Sequence, residues 1–235
     1  MPTATLHVSG EEPRTALVAG ATGLVGSVLL RQLEADPAWA EVRALVRRPV
    51  GLDGGRIREL VVDYERLEDT GQALRATHVF CTLGTTLRKA GSREAFRTVD
   101  HDYPVRLAGL AGAWGARHFS LVSSLGADPG SRVFYSRVKG ETEDGVRAAG
   151  LPSVAILRPS ILLGRRSEVR PAEAVGRVIS LLVPGRFRGV EAAEVARVMI
   201  HLAAAAEPGV RTLESEEIRR LAGGLRQPAP ARGGH

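Results

Sequence analysis

The stretch TALVAGATGLVGSVLLRQLE, residues 15–34, constrains this chain more than any other part of it. A short apolar run ends in glycine, glycines recur at Gly20, Gly23 and Gly26, and apolar residues then follow at helical spacing. That is a strand, a glycine turn and a helix. Glycine permits the tight turn and lets the backbone come close to a pyrophosphate, while the free N–H groups and dipole of the helix start favour negative charge. The turn GATGLVG is therefore expected to hold a dinucleotide, with Thr22, Leu24 and Val25 completing the contact.

The same alternation continues along the chain. EVRALV (41–46), IRELVV (57–62), THVFCTL (77–83), HFSLVSS (118–124) and SVAILRP (153–159) read as strands. Between them, LEDTGQALR (67–75) reads as a short helix, residues 94–114 as a long one, and 133–149 as another. Strands alternating with helices imply a parallel sheet covered on both faces. The expected fold is α/β: a Rossmann-type doubly wound, mainly parallel sheet with helices on both faces, residues 1–222 forming one domain. Past Pro159 come a basic loop at Arg165 and Arg166 and helical stretches near 172–182, 191–206 and 214–222, expected to form a small cap on the substrate side. Residues 223–235, dominated by Gly, Pro, Ala and Arg without a periodic apolar face, read as a disordered tail.

Composition narrows the function classes. The net charge is +6, but the arginines are scattered and aromatics make up 4% of the chain, so neither a basic stripe nor a stacking platform for nucleic acid is visible. No apolar run approaches a membrane-spanning length, and Cys81 is the single cysteine. The leader lacks a basic start followed by an apolar run, and a cytoplasmic location is expected. A small-molecule substrate, with no nucleic acid and no membrane, is the expected partner.

Where the second strand ends, an acidic residue would hydrogen-bond the ribose of NAD; here stand Arg47 and Arg48. A guanidinium pairs with a phosphate through two parallel hydrogen bonds, so NADP(H) is expected in preference to NAD(H). Asp63, after the third strand, is placed either at the adenine amino group or in a local turn.

Tyr135 and Lys139 stand four apart, which on a helix puts both on one face, one turn from each other. A free phenol titrates near a pKa of about 10, and a neighbouring ammonium that stabilises the phenolate suits it to proton transfer nearer neutrality. With three tyrosines and two lysines in 235 residues, chance would produce this spacing about 0.03 times. Ser124, at the carboxyl end of the fifth strand, is placed to donate to a substrate carbonyl, with Ser123 as support. Cys81, inside an apolar strand, and His101 and His118, without ligand spacing, are assigned no chemistry and no metal.

These residues resemble the short-chain dehydrogenase/reductase superfamily from Gly20 through LRPSILLG at 157–164. FCTLGTTLRKAGSREAFRTVDHDY (80–103), LVSSLGAD (121–128) and YSRVKGE (135–141) resemble one atypical branch, the Tat-interacting-protein oxidoreductase family. The resemblance implies that Leu83, Gly84 and Thr85 pass under an NADPH cofactor, that Pro159 and Ile161 lie beside the nicotinamide, and that Tyr135, Lys139 and Ser124 occupy catalytic positions. Lys89, within GTTLRKAG, is placed either on a phosphate or substrate or in solvent. Many members complete a proton relay with an asparagine; this chain has none, and Asp100, in the corresponding helix, has different donor capacity. Any homodimer is expected to form through the helices near 94–114 and 133–149. Two functions follow: an NADPH-dependent oxidoreductase passing hydride to a small carbonyl-like acceptor, and a cofactor-sensing regulator that acts through a protein partner.

Overall fold

The computed structural model describes residues 13–164 and 188–225. β1 (Arg14–Ala19) leads through the glycine turn into α1 (Leu24–Ala35), then β2 (Trp39–Val46) and β3 (Ile57–Val61). A 3-10 stretch, Leu67–Leu74, broken at Gly71 with φ 60°, precedes β4 (His78–Cys81). A single turn, α2 (Leu87–Ala90), comes next, and the expected long helix then follows in pieces: α3 (Arg93–Arg97), a π turn (Thr98–Asp102) and α4 (Tyr103–Ala113) in direct succession. β5 (His118–Val122), α5 (Phe134–Arg147) and β6 (Ser153–Arg158) complete the expected set.

The strands form one parallel sheet of seven, in the order β3-β2-β1-β4-β5-β6-β9, with β9 at Gly209–Glu214. Strand order reverses between β1 and β4, so the loops leaving their carboxyl ends diverge and open a crevice there. β1 is apolar without alternation because both of its faces are buried: Ala16 and Val18 enter one core, Leu17 and Ala19 the other. The first core is closed by α1 through Leu29 and Leu33, the second by α4 and α5 through Leu107, Ala111 and Val146.

The chain beyond Pro159 builds more of the domain than the expected cap. β7 (Leu162–Leu163) pairs with β8 (Val190–Glu191), and α6 (Ala192–Ala205) packs on α1 across the first core with Val195, Val198 and Met199. β9 then adds the seventh strand, and α7 (Ser215–Gly224) seals that side with Ile218 and Ala222. The helical stretch read near 172–182, the loop at Arg165 and Arg166, and nearly all of the tail lie outside the described residues.

Candidate active site

The glycine turn owes its spacing first to its own packing. Gly20 has φ 81°, and a Cβ there would lie 2.7 Å from Thr82. A Cβ on Gly26 would lie 2.1 Å from the Gly20 carbonyl oxygen. Thr82 Oγ1 donates to the carbonyls of Ala19 at 2.9 Å and Gly20 at 3.1 Å, stitching the end of β4 to the turn. Gly23 donates its N–H to Gly20 O at 2.8 Å and caps α1 without a side chain. The first turn of α1 holds no acidic residue and no side-chain cap, so its leading N–H groups and positive dipole end are left for an anion. The turn therefore fits a pyrophosphate. Side chains contribute little to that fit: Val25 is buried in the core, and Leu24 packs where a Cβ on Gly164 would come within 2.9 Å of it. Thr22 is exposed at the mouth.

Arg47 and Arg48 leave β2 exposed at the same edge, and neither forms an ion pair among the described residues. Asp63 is exposed and accepts the Glu65 N–H at 2.9 Å, which closes a local turn. Of the two placements open for it, the turn is the one with a visible partner.

The loop after β4 meets the tyrosine–lysine helix at one carboxylate. Lys139 Nζ lies 2.6 Å from Asp100 Oδ1, and both side chains are buried. Asp100 Oδ2 accepts the Thr85 N–H at 2.7 Å. A Cβ on Gly84 would sit 3.5 Å from Asp100 Oδ1 and 3.9 Å from Lys139 Nζ, so the loop passes directly over the pair. Burial alone would push the Lys139 ammonium toward losing its proton; the Asp100 carboxylate, with Tyr135 beyond it, outweighs this and holds its pKa above the ordinary lysine value. Tyr135 is half-buried, its ring packed against that of Phe96 on α3 with centroids 5.6 Å apart.

The two serines after β5 have different surroundings. Ser123 is buried and donates to Glu143 Oε1 at 2.6 Å. Ser124 is half-buried and makes only a 3.4 Å contact with the neighbouring Leu125 carbonyl, which leaves its hydroxyl able to donate elsewhere. Pro159 is buried beside it, its carbonyl taking the Leu125 N–H at 3.0 Å, and Ile161 is half-exposed with its carbonyl bound to Val190 N at 2.8 Å. Lys89 is exposed on α2. Cys81 is buried, which pushes its thiol up to about 12, and His118 is enclosed between Ser120 and Ser153, each at 2.8 Å. His101 pairs with Asp102 at 2.7 Å. Among the described residues no His, Cys, Asp and Glu group could hold a metal ion, and no helix is long and apolar enough to cross a membrane.

Sequence reasoning missed two participants. Asp100 stands in the helix where the relay asparagine would lie, and nothing local in the sequence reveals that it faces Lys139. Glu143, in GETED, is fully buried, held by Arg158 through Nε at 2.8 Å and Nη2 at 2.6 Å and by Arg147 at 2.9 Å. The only hint was its position one helical turn beyond Lys139, on the same face.

The NAD(P)H-binding family matches residues 20–206. Rattus norvegicus Protein HTATIP2 is 34% identical over 216 residues, spanning 88% of this chain and 89% of the relative. Emericella nidulans Protein fmp52, mitochondrial, is 37% identical over 165 residues, 67% of this chain and 71% of the relative. Among solved structures, an oxidoreductase of the short chain dehydrogenase/reductase family from Burkholderia thailandensis superposes with a TM-score of 0.65 at 19% identity, covering 87% of this chain and 92% of that one. That likeness establishes the fold. The expected cytoplasmic location does not stand, because the fungal FMP52 relatives are mitochondrial proteins.

Proposed function

The chain belongs to the NAD(P)H-binding family, in the group that includes HTATIP2 and the FMP52 proteins, and from that membership we propose that it is an NADPH-dependent oxidoreductase acting on a small carbonyl-like acceptor. The observation that carries the reading is the convergence of Tyr135, Lys139 and the Gly84–Thr85 loop beside the crevice where strand order reverses. Gly20, Gly23 and Gly26 hold the pyrophosphate on α1, and Arg47 and Arg48 take the additional phosphate of NADPH. The dinucleotide supplies the hydride. Ser124 donates to the acceptor oxygen and orients it, Tyr135 gives that oxygen its proton, and the Lys139 ammonium stabilises the phenolate left behind. Hydride and proton together convert the carbonyl to an alcohol.

A regulatory reading, in which the same residues only hold the nicotinamide and a protein partner reads the occupied state, is favoured by one observation: the chain has no asparagine to complete the usual relay. NADPH oxidation across a panel of aldehydes and ketones separates the two. The oxidoreductase reading expects turnover by the wild type and its loss in Tyr135→Phe, with NADPH affinity retained. Tight binding without turnover on the whole panel supports the regulator.

A further inference from the structure

The Asp100 carboxylate is spent on two partners that belong to different parts of the site. One oxygen meets Lys139 on α5 at 2.6 Å, the other takes the backbone N–H of Thr85 in the loop after β4 at 2.7 Å. Its own backbone is fixed as well, since the Asp100 carbonyl accepts the Thr142 hydroxyl at 2.8 Å from the next turn of α5. It stands in the π turn, whose wider winding sets it apart from the regular helices on either side. Gly84 lies next to the pair, at a distance where a Cβ would be in ordinary contact with both groups.

We propose that Asp100 is a positioning residue that clamps Lys139 beneath the Gly84–Thr85 loop and keeps its ammonium charged. The carboxylate does it by charge. A buried ammonium without a counter-charge loses its proton easily, whereas an opposite charge in contact shifts the balance by one to several pH units. The titratable groups that face Lys139 are Asp100 from the π turn, Tyr135 from its own helix and Cys81 from the end of β4. Cys81 is neutral at physiological pH, so Asp100 is the sole carboxylate among them. The consequence for catalysis rests on the oxidoreductase reading; the clamp itself does not.

Two lysines in the chain make the test direct. Protein labelled with 13C at lysine Cε gives one signal from buried Lys139 and one from exposed Lys89, which serves as the internal reference. Both are followed against pH in the wild type and in Asp100→Asn, a variant of the same shape whose carboxamide oxygen still accepts the Thr85 N–H. In the wild type, the Lys139 midpoint is expected above the ordinary lysine value of about 10.4. In Asp100→Asn it is expected to fall by at least about one pH unit from its wild-type position. A wild-type midpoint at or below the ordinary lysine value, or the same midpoint in both proteins, overturns the proposal. If Asp100→Asn does not fold, the wild-type titration decides alone. No turnover enters the measurement, so failure of the oxidoreductase reading leaves its result intact. Where turnover is present, Asp100→Asn should also draw the alkaline limb of kcat/KM to lower pH, a change that loss of folded protein would not produce.

Discussion

Ser123 donates its hydroxyl to Glu143 at 2.6 Å, and in doing so leaves its neighbour Ser124 as the serine available to a bound acceptor. Glu143 is fully buried and also carries Arg158 and Arg147, so this serine belongs to a network joining β5, α5 and β6. The pair of serines at the strand end thus divides into one whose hydroxyl is held in the buried network and one whose hydroxyl has only a long contact with its neighbour's carbonyl.

Replacing them one at a time should separate those roles. Ser123→Ala removes a donor from a buried carboxylate and is expected to cost about 1–3 kcal/mol in urea unfolding. Ser124→Ala is expected to leave stability unchanged and lower NADPH turnover by about a hundredfold, the scale of a lost donor to a developing oxyanion. The opposite pattern would mean that the assignment of the two is reversed.

Arg47 and Arg48 are exposed at the end of β2 without an ion pair among the described residues, so reversing their charge should leave the fold intact. Calorimetric titration of the Arg47→Glu/Arg48→Glu variant is expected to show NADPH affinity reduced by at least about tenfold, with NADH affinity little changed. Equal losses for both cofactors would place the arginines on the shared part of the dinucleotide.

At the amino end of the sheet, His78 and His118 lie with ring centroids 6.3 Å apart, both buried. Burial pushes His78 down to about 4 and His118 down to about 3, aided by the arginines Arg14 and Arg117 for the first and by His78 for the second. An unfolded histidine titrates at about 6.5, so below that pH the unfolded chain takes up protons that the folded chain refuses. Stability should therefore be full above about pH 6.5 and fall as pH drops toward 4, by at most about 1.4 kcal/mol per pH unit for each histidine. Urea midpoints at pH 7 and pH 5 check this; equal midpoints would mean that the two rings are protonated in the folded state.

Much of the fold was legible because its signals are local. The glycine turn between an apolar run and a periodic one marks β1 and α1 in any context, and the spacing of Tyr135 and Lys139 survives transfer from sequence to helix face. What escaped depends on contacts distant in the chain. β9 is not legible as a strand, because it lies at the sheet edge with five of its six residues exposed or half-buried and GVRTLE carries no apolar pattern. Leu24 sits in the dinucleotide turn, but its side chain packs toward Gly164, which no spacing within GATGLVG reveals. Asp100 and Glu143 look like ordinary helical acids until the π turn and β6 bring Lys139 and Arg158 against them.

We propose that Tyr135 completes a hydride transfer begun by bound NADPH. It is tested most directly with NADPH deuterated at its hydride-bearing carbon, incubated with the wild type and with Tyr135→Phe in the presence of the carbonyl panel, the products being read by mass spectrometry. Deuterium should appear on the carbinol carbon of at least one product with the wild type and be absent with Tyr135→Phe, although both proteins bind the cofactor. Cofactor binding with no deuterium in any product, or undiminished transfer by Tyr135→Phe, would contradict it.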